Sequence, residues 1–528
     1  MAMDMAMDTG MDKKSTNSHL PMRSALVLLL AASVAQLASA QRAEKPDNSV
    51  EPKQSITVTP KVTVTETWTD NVRLTSNGQT ERITEVTPGL RIDVNKARLK
   101  GFIDYALSGI AYANSTLVNR SINSLSSNLQ LEAIDDSLFV DATGTIAQQA
   151  ASAFGAQSID NTSINSNRTE VSTYRISPHA KGDLGGFATY TARLARSTTS
   201  SGGANAVSTA TNEMSLSING DIGTSRLEWA VDVKNQDSNY STGRSVENFR
   251  ALLVLAYGIT PNLKVSTQVG TETDNYTSLN RATNPVHGFG FRWTPLEATK
   301  LSAILLRHSY GDTYTLSFDH RSGRAVWHFL DSQEVTASAN LQDAGKFSSA
   351  YDLYYAQFTA VEPDPVARAQ LVNAYLQTYG ISPGTAIGAG FVSSSLIFQH
   401  RQQLSFALLG KRDTVTFIAS QAESNRLDAL TSAIDDFTTS PFVRQQGWST
   451  NFAHRLTPDY TFGVLVSRIN TAGALSNQST SLRNVNLSLT GKVGKRSSAT
   501  IGMRKVDSES SANPYSESAV TASLNLQL

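Results

Sequence analysis

Among 528 residues there is no cysteine. That removes a disulfide scaffold, thiolate zinc sites and cysteine nucleophiles together. An excess of charge is missing too: 45 basic residues face 45 acidic ones, which gives no basis for nucleic-acid binding or a general electrostatic trap. No helix-length apolar run follows the N-terminal region. The longest is Ala251–Tyr257, far short of the roughly 20 residues a spanning helix needs. The eight histidines include no His-Glu-x-x-His and no close pair at metal spacing, so a zinc site and a cofactor are not expected. Ser317, Asp319 and His320 are near neighbours, but on a strand His320 points away from the other two, so the three cannot form a nucleophile relay.

The N-terminus reads as an export address. Lys13, Lys14 and Arg23 precede the apolar stretch Ala25–Ala35, and Ala38-Ser39-Ala40 fits a small-residue cleavage site. The expected organisation is a signal peptide at 1–40, a linker at 41–55 and one domain at 56–528.

Within that domain, apolar and polar residues alternate with a period of two. Ile56, Val58, Val62 and Val64 oppose Thr57, Thr59, Lys61 and Thr63; Leu227, Trp229, Val231 and Val233 oppose Glu228, Asp232 and Lys234; Val520, Ala522, Leu524, Leu526 and Leu528 oppose Thr521, Ser523, Asn525 and Gln527. Such strands have one oily and one wet face. The connections come in two alternating sizes. Thr260-Pro261-Asn262, Gly410-Lys411-Arg412 and Gly494-Lys495-Arg496 are short, whereas Thr198–Thr211, Gln236–Glu247, Thr271–Val286, Asn470–Ser481 and Val506–Ser516 are long and polar. A soluble sandwich has no reason to sort its loops in this way; an outer-membrane barrel does, with short periplasmic and long extracellular connections. The predicted fold is therefore all-β: a transmembrane antiparallel up-and-down β-barrel of 16–22 strands, with 22 as the best tally. The last strand is expected to pair with the first around Ile56–Val64, and Leu526→Arg to impair assembly.

Two segments break the period. Asp364, Pro365, Ala369, Val372, Leu376, Tyr379 and Gly380 have the capping and spacing of one short helix, inside a loop insertion at 340–393. Leu427, Leu430 and Ile434 suggest a further helical turn within Asn425–Asp436. The acidic pairs Asp135-Asp136 and Asp435-Asp436 read as solvated turn residues. Trp68, Tyr112, Trp229, Tyr257, Trp293, Tyr310, Trp327, Trp448 and Tyr460 are placed at strand ends, as interfacial girdles require.

The polar faces supply candidate pore-lining residues: Arg91, Asp93, Glu228, Asp232, Lys234, Lys264, Asp319 and Arg504. Charge at the lipid midplane costs about 2–4 kcal/mol, so these must point inward, and their mixed signs imply a hydrated interior of weak ionic preference. Arg468 continues the apolar face of Tyr460, Phe462, Val464 and Val466, and is tolerable only at the membrane edge.

From Leu301 onward the chain resembles a family of outer-membrane barrels associated with the PEP-CTERM sorting and exopolysaccharide system. The segments Tyr314–Trp327 (YTLSFDHRSGRAVW), Pro363–Leu376 (PDPVARAQLVNAYL), Arg412–Phe417 (RDTVTF) and His454–Pro458 (HRLTP) carry the likeness. Leu528 stands where barrels usually end in an aromatic residue. The resemblance implies location beside polysaccharide export and supplies no catalytic residues. The resulting expectation is a monomeric, non-enzymatic barrel forming a passive pore or docking point for exopolysaccharide. Its partners would be outer-membrane lipid, the barrel assembly machinery and export components. A non-conducting scaffold or adhesin is the alternative, and a membrane-barrel hydrolase a distant third.

Overall fold

In lipid a backbone N–H or C=O without a partner costs several kcal/mol, so strands cross only as a closed wall. The computed structural model describes residues 55–528 apart from 115, 203–206, 224–225, 337–353, 356–367, 369–371, 373–389, 428–434 and 512. The expected leader, nearly all of the linker and most of the insertion helix fall outside the described residues; of that helix, Arg368 and Val372 are described and helical. The remainder is one antiparallel wall of 22 strands. In order they are β1 Ser55–Thr69, β2 Glu81–Asn95, β3 Leu99–Tyr112, β4 Arg120–Ile134, β5 Leu138–Ala150, β6 Arg168–Asp183, β7 Ala188–Ser201, β8 Ser208–Ile222, β9 Leu227–Tyr240, β10 Val246–Thr260 and β11 Leu263–Asp274. The second half comprises β12 Ala282–Leu296, β13 Thr299–His308, β14 Gly311–Ser322, β15 Ala325–Thr336, β16 Ile397–Leu409, β17 Asp413–Arg426, β18 Phe442–Arg455, β19 Tyr460–Ala472, β20 Ser479–Gly494, β21 Ser497–Ser510 and β22 Tyr515–Gln527. Each strand pairs with its sequence neighbours, and β1 pairs with β22, which leaves no edge.

Closure uses a register different from the sequence expectation. The partner of β22 is Lys61–Thr69, with Val62 opposite Leu526 and Val64 opposite Leu524. Ser55–Pro60 runs beyond the end of β22 and pairs only with β2. A barrel must stagger its strands to close, and this offset moves the seam along β1. The face expected to meet lipid does face outward: Val58, Val64, Val520 and Leu524 are 37–41% exposed. Asn525, one position along, turns inward and donates to Thr63 Oγ1 at 2.9 Å.

The loops sort as the sequence indicates. Connections at one end of the wall have two to four residues; at the other end lie 151–167, 337–396 and 427–441. Several strands run well into stretches that read as loops: β9 continues to Tyr240 and β10 starts at Val246, leaving 241–245 between them. Beyond the lipid both faces meet water, so the hydropathy alternation fades while the hydrogen-bond ladder continues. Of the expected helical turn in Asn425–Asp436, residues 428–434 lie outside the described residues; Asn425 and Arg426 end β17, and Asp436 opens the short helix α1, Asp436–Thr439, capped by Asp435.

Trp68, Tyr257, Trp293, Trp327, Trp448 and Tyr460 are 38–48% exposed, as girdle residues should be. Tyr112 and Tyr310 are not girdle residues. Tyr112 is buried and donates to Thr162 O at 2.8 Å, and Tyr310 packs against Tyr276 and His308. Arg468 lies on the outer face but reaches away from the apolar belt to Asn470 Oδ1 (3.1 Å) and Ser481 Oγ (3.5 Å), as a charge at the membrane edge must.

The seam makes a direct test. Leu524→Arg places a charge on the lipid face, at a cost of about 2–4 kcal/mol at mid-depth. Asn525→Arg directs the same charge inward. Heat-modifiable gel mobility of outer-membrane fractions should show a reduced folded fraction for Leu524→Arg and near-normal folding for Asn525→Arg. Equal folding of the two would contradict the register.

Candidate functional site

The candidate site is the interior of the wall, and the eight predicted lining residues all carry side chains on its inner face. Arg91 and Asp93 form an ion pair at 2.7 Å, joined by Asp104 and Lys61 from the flanking strands. Glu228 pairs with Lys264 across β10. Asp232 lies between Glu228 and Lys234 on that face of β9, and Lys234 reaches Glu213 of β8 at 3.3 Å. Asp319 accepts from His328 Nδ1 at 2.7 Å and from Ser317 Oγ at 3.3 Å. The carboxylate thus sits between histidine and serine, the reverse of the order a nucleophile relay needs, while His320 turns to Thr299 on the other face. Among the described residues no three His, Asp or Glu side chains converge as a metal site would require.

Arg504 has a different setting from the rest. Its guanidinium pairs with Glu517 of β22 at 2.9 Å and with Asp160, which belongs to the 151–167 connection between β5 and β6. That connection folds into the mouth of the barrel. Asp160 organises it by accepting from the backbone of Thr162 and Ser163 (both 3.1 Å) and from their hydroxyls. Arg168 donates to Asp160 O at 2.6 Å, and Arg120 to Ser163 O at 2.6 Å. Farther round the wall, Ile164 N donates to Val72 O in the β1–β2 connection, and Tyr515 of β22 donates its hydroxyl to Gln157 O. Burial alone would raise the Asp160 carboxyl's pKa. Arg504 and the Ser163 and Thr162 hydrogen bonds outweigh it and hold the group well below the usual carboxylate range, so this anchor keeps its charge on acidification.

A second anchor is the Asp435-Asp436 pair, expected from the sequence to be solvated turn residues. Asp435 Oδ2 accepts from Ser393 Oγ, Ser394 N and Ser395 Oγ at 2.8–3.0 Å, while its Oδ1 caps α1 through Phe437 N. Asp436 accepts from Ser152 Oγ at 2.7 Å and Ala153 N at 2.6 Å. Two adjacent carboxylates therefore tie together the β5–β6, β15–β16 and β17–β18 connections. Phe391, Ile397, Phe437, Val443, Ala150 and Ala153 form the apolar cluster beneath them. The β5–β6 and β17–β18 connections lie almost diametrically opposite in a 22-strand wall, so these bonds span the mouth.

One described residue of the insertion, Tyr354, lies in the lumen. Tyr354 is 4% exposed, and its hydroxyl lies 3.4 Å from Thr416 Oγ1 and accepts from Asn451 Nδ2 at 3.2 Å. Thr416 and Asn451 face each other in the half of β17 and β18 near the short turns, whereas the insertion leaves the wall at the opposite end. Inner-face residues on this side, Gln403, Ser405, Ala407, Thr414 and Thr416, are only 2–4% exposed. Across the lumen, the Lys264 and Glu228 side chains keep 43% and 35% exposure, as expected beside water. Near the short turns the inner face of β16–β18 is closed while the Glu228–Lys264 pair stays in contact with water; toward the long-loop end Leu252, Gln268, Glu272 and Val286 on the inner face of β10–β12 are buried too, at 2–6% exposure.

Burial pushes the Asp436 carboxyl up, and neighbouring Asp435 adds to the shift, while the Ser152 and Ala153 bonds oppose it. A carboxyl raised in the folded state contributes its stability in full below the ordinary value of 3.8 and loses it as pH rises through the raised one. Hydrogen exchange of the 152–157 amides, corrected for intrinsic rates, should therefore slow on going from about pH 7 to about pH 4. Asp436→Asn should flatten that dependence. A loop that exchanges faster in acid would contradict the assignment.

No protein-family model and no curated protein matches the chain. Among solved structures, the FrpB iron transporter from Neisseria meningitidis, in its apoprotein form, is 10% identical with a TM-score of 0.49, covering 89% of this chain and 81% of that one. A ferric enterobactin receptor mutant from Pseudomonas aeruginosa is 8% identical with a TM-score of 0.44, covering 89% and 80%. The siderophore receptor PirA from Pseudomonas aeruginosa is 8% identical with a TM-score of 0.42, covering 92% and 82%. The expectation of a passive exopolysaccharide pore or docking point, with a scaffold as alternative, is corrected here. The three barrels above are named as an iron transporter, a ferric enterobactin receptor and a siderophore receptor. The interior, moreover, is crossed by the chain's own loops rather than left as a free passage.

Proposed function

We propose that this outer-membrane barrel is a gated transporter of the ligand-receptor kind, closed at rest by its own connections. The observation that carries this reading is the Asp435-Asp436 anchor, where carboxylates of one loop hold two others across the mouth. A wall of 22 strands belongs to the size class whose lumen is plugged in outer-membrane transporters. Here the plugging comes from segments between strands. In the proposed cycle a solute engages the long-loop end, competes for the hydrogen bonds of Asp435, Asp436 and Asp160, and releases the 151–167 connection. The charged inner-face residues Glu228, Asp232 and Lys234 of β9 and Lys264 of β11 then offer mixed charge on which a polar solute exchanges water for protein partners at little net cost.

Planar bilayers test the closure, and liposomes loaded with a reporter test the transport. The wild-type chain should conduct poorly, and the double variant Asp435→Ala/Asp436→Ala should raise conductance at least tenfold while retaining heat-modifiable folding. Ferric enterobactin, named for one of the barrels above, is a suitable first cargo to offer the liposomes. A wild-type protein as conductive as the double variant would overturn the gated reading.

A further inference from the structure

The outer wall of β16–β19 carries a second feature that transport through the lumen does not use. Four amide side chains stand in register on adjacent strands: Gln402 opposite Gln421, Gln421 opposite Gln446, and Gln446 opposite Asn470. They share the outward face with Leu404, Phe417 and Trp448. Below them the wall dips to Ala419, which is flanked by Leu404 and Trp448 on the neighbouring strands. The result is a depression of about 770 Å³, its floor and sides formed by Phe329, Leu404, Phe417, Ala419 and Trp448 and its upper lip by the amides. It straddles the boundary at which the wall's outer face changes from apolar to polar.

Charge at this boundary is arranged in an unusual way. Arg468 stands beside Trp448 and directly opposite Arg483, both on the outer face. Like charges placed directly across a strand pair repel. Arg483 is answered by Glu509 at 3.1 Å, and Arg444, on the next row outward, by Glu423 at 2.8 Å. Arg468 has hydrogen bonds to Asn470 and Ser481 and no acidic partner among the described residues. A cation unpaired by the protein, at the long-loop edge of the membrane and next to an acyl-sized depression with an amide lip, matches a phosphate-bearing glycolipid. The amides meet sugar hydroxyls and acyl amides, Arg468 meets phosphate, and Ala419 leaves room for one chain.

We propose that this wall binds one molecule of the outer leaflet's phosphoglycolipid, the lipid A portion of lipopolysaccharide, with an acyl chain over Ala419 and a phosphate on Arg468. The site faces lipid and operates whether the lumen is open or closed.

The test is native mass spectrometry of the full chain in detergent, titrated with diphosphoryl lipid A. One retained molecule is expected. Ala419→Trp fills the depression from the lipid side and should abolish retention, and Arg468→Gln should weaken it about tenfold, corresponding to about 1.4 kcal/mol. Ala192→Trp, on the outer face of β7, should leave it unchanged, and heat-modifiable mobility verifies that each variant is folded. Retention unaffected by both Ala419→Trp and Arg468→Gln would overturn the proposal. So would equal retention of phosphatidylglycerol or of lipid A stripped of its phosphates.

Discussion

Every strand here depends on the requirement that backbone polar groups in hydrocarbon find partners within the chain. The requirement is met by the nine in-register pairs between Lys61–Thr69 of β1 and Ala519–Gln527 of β22, whose partners are 450 to 466 residues apart in the chain. Without that seam the wall would have two open edges, and the outward rows of Val, Leu and aromatic residues would have no defined side to face. With it, parity along each strand decides everything else: even positions of β16 and β18 and odd positions of β17 face outward, and the alternate positions face the lumen.

Closing the wall creates a second problem, which the loops answer. A lumen bounded by 22 strands is about 40 Å across by strand spacing and tilt, and left empty it would pass solutes freely. The chain fills part of it with segments that begin and end at the long-loop rim. Carboxylates do the joining because one group accepts several donors at once: Asp435 takes three serine donors and a helix N-terminus, and Asp160 takes four local donors besides Arg504. Such pins hold firmly but are exchangeable, since a solute with donors of its own can replace them. Their opposite electrostatic settings also separate their responses: Asp160 remains charged in acid, while Asp436 is eased by a proton.

Much of the wall was legible in the sequence. The alternation of Leu227, Trp229, Val231 and Val233 with Glu228, Asp232 and Lys234 gives face and strand at once, and the inward placement of Arg91, Asp93, Lys264 and Asp319 follows from parity. The alternating faces and the short and long connections gave 16–22 strands, with the observed 22 as the best tally. Legibility stops where both faces of a strand meet water, which is why β9 and β10 extend past their apparent ends. It also stops at contacts between loops. Asp435-Asp436 looks like any acidic turn, and its partners Ser152, Ser393 and Ser395 are common residues far away in sequence. Parity along β21 gives the face of Arg504, but its partner Asp160 lies in a loop with no periodicity to predict its path. Tyr112 and Tyr310 were misplaced because position near a strand end does not reveal whether a ring turns outward to lipid or inward to a folded loop.

The central claim is that the mouth is bridged by the chain itself, from the β5–β6 connection to the β17–β18 connection. Because the protein has no cysteine, the pair Ser152→Cys and Asp436→Cys would be the only thiols present. Mild oxidation of the folded double variant, followed by proteolysis and mass spectrometry, should recover a disulfide-linked peptide joining the two loops within a single chain. Recovery of only free thiols, with the barrel still folded, would contradict the account.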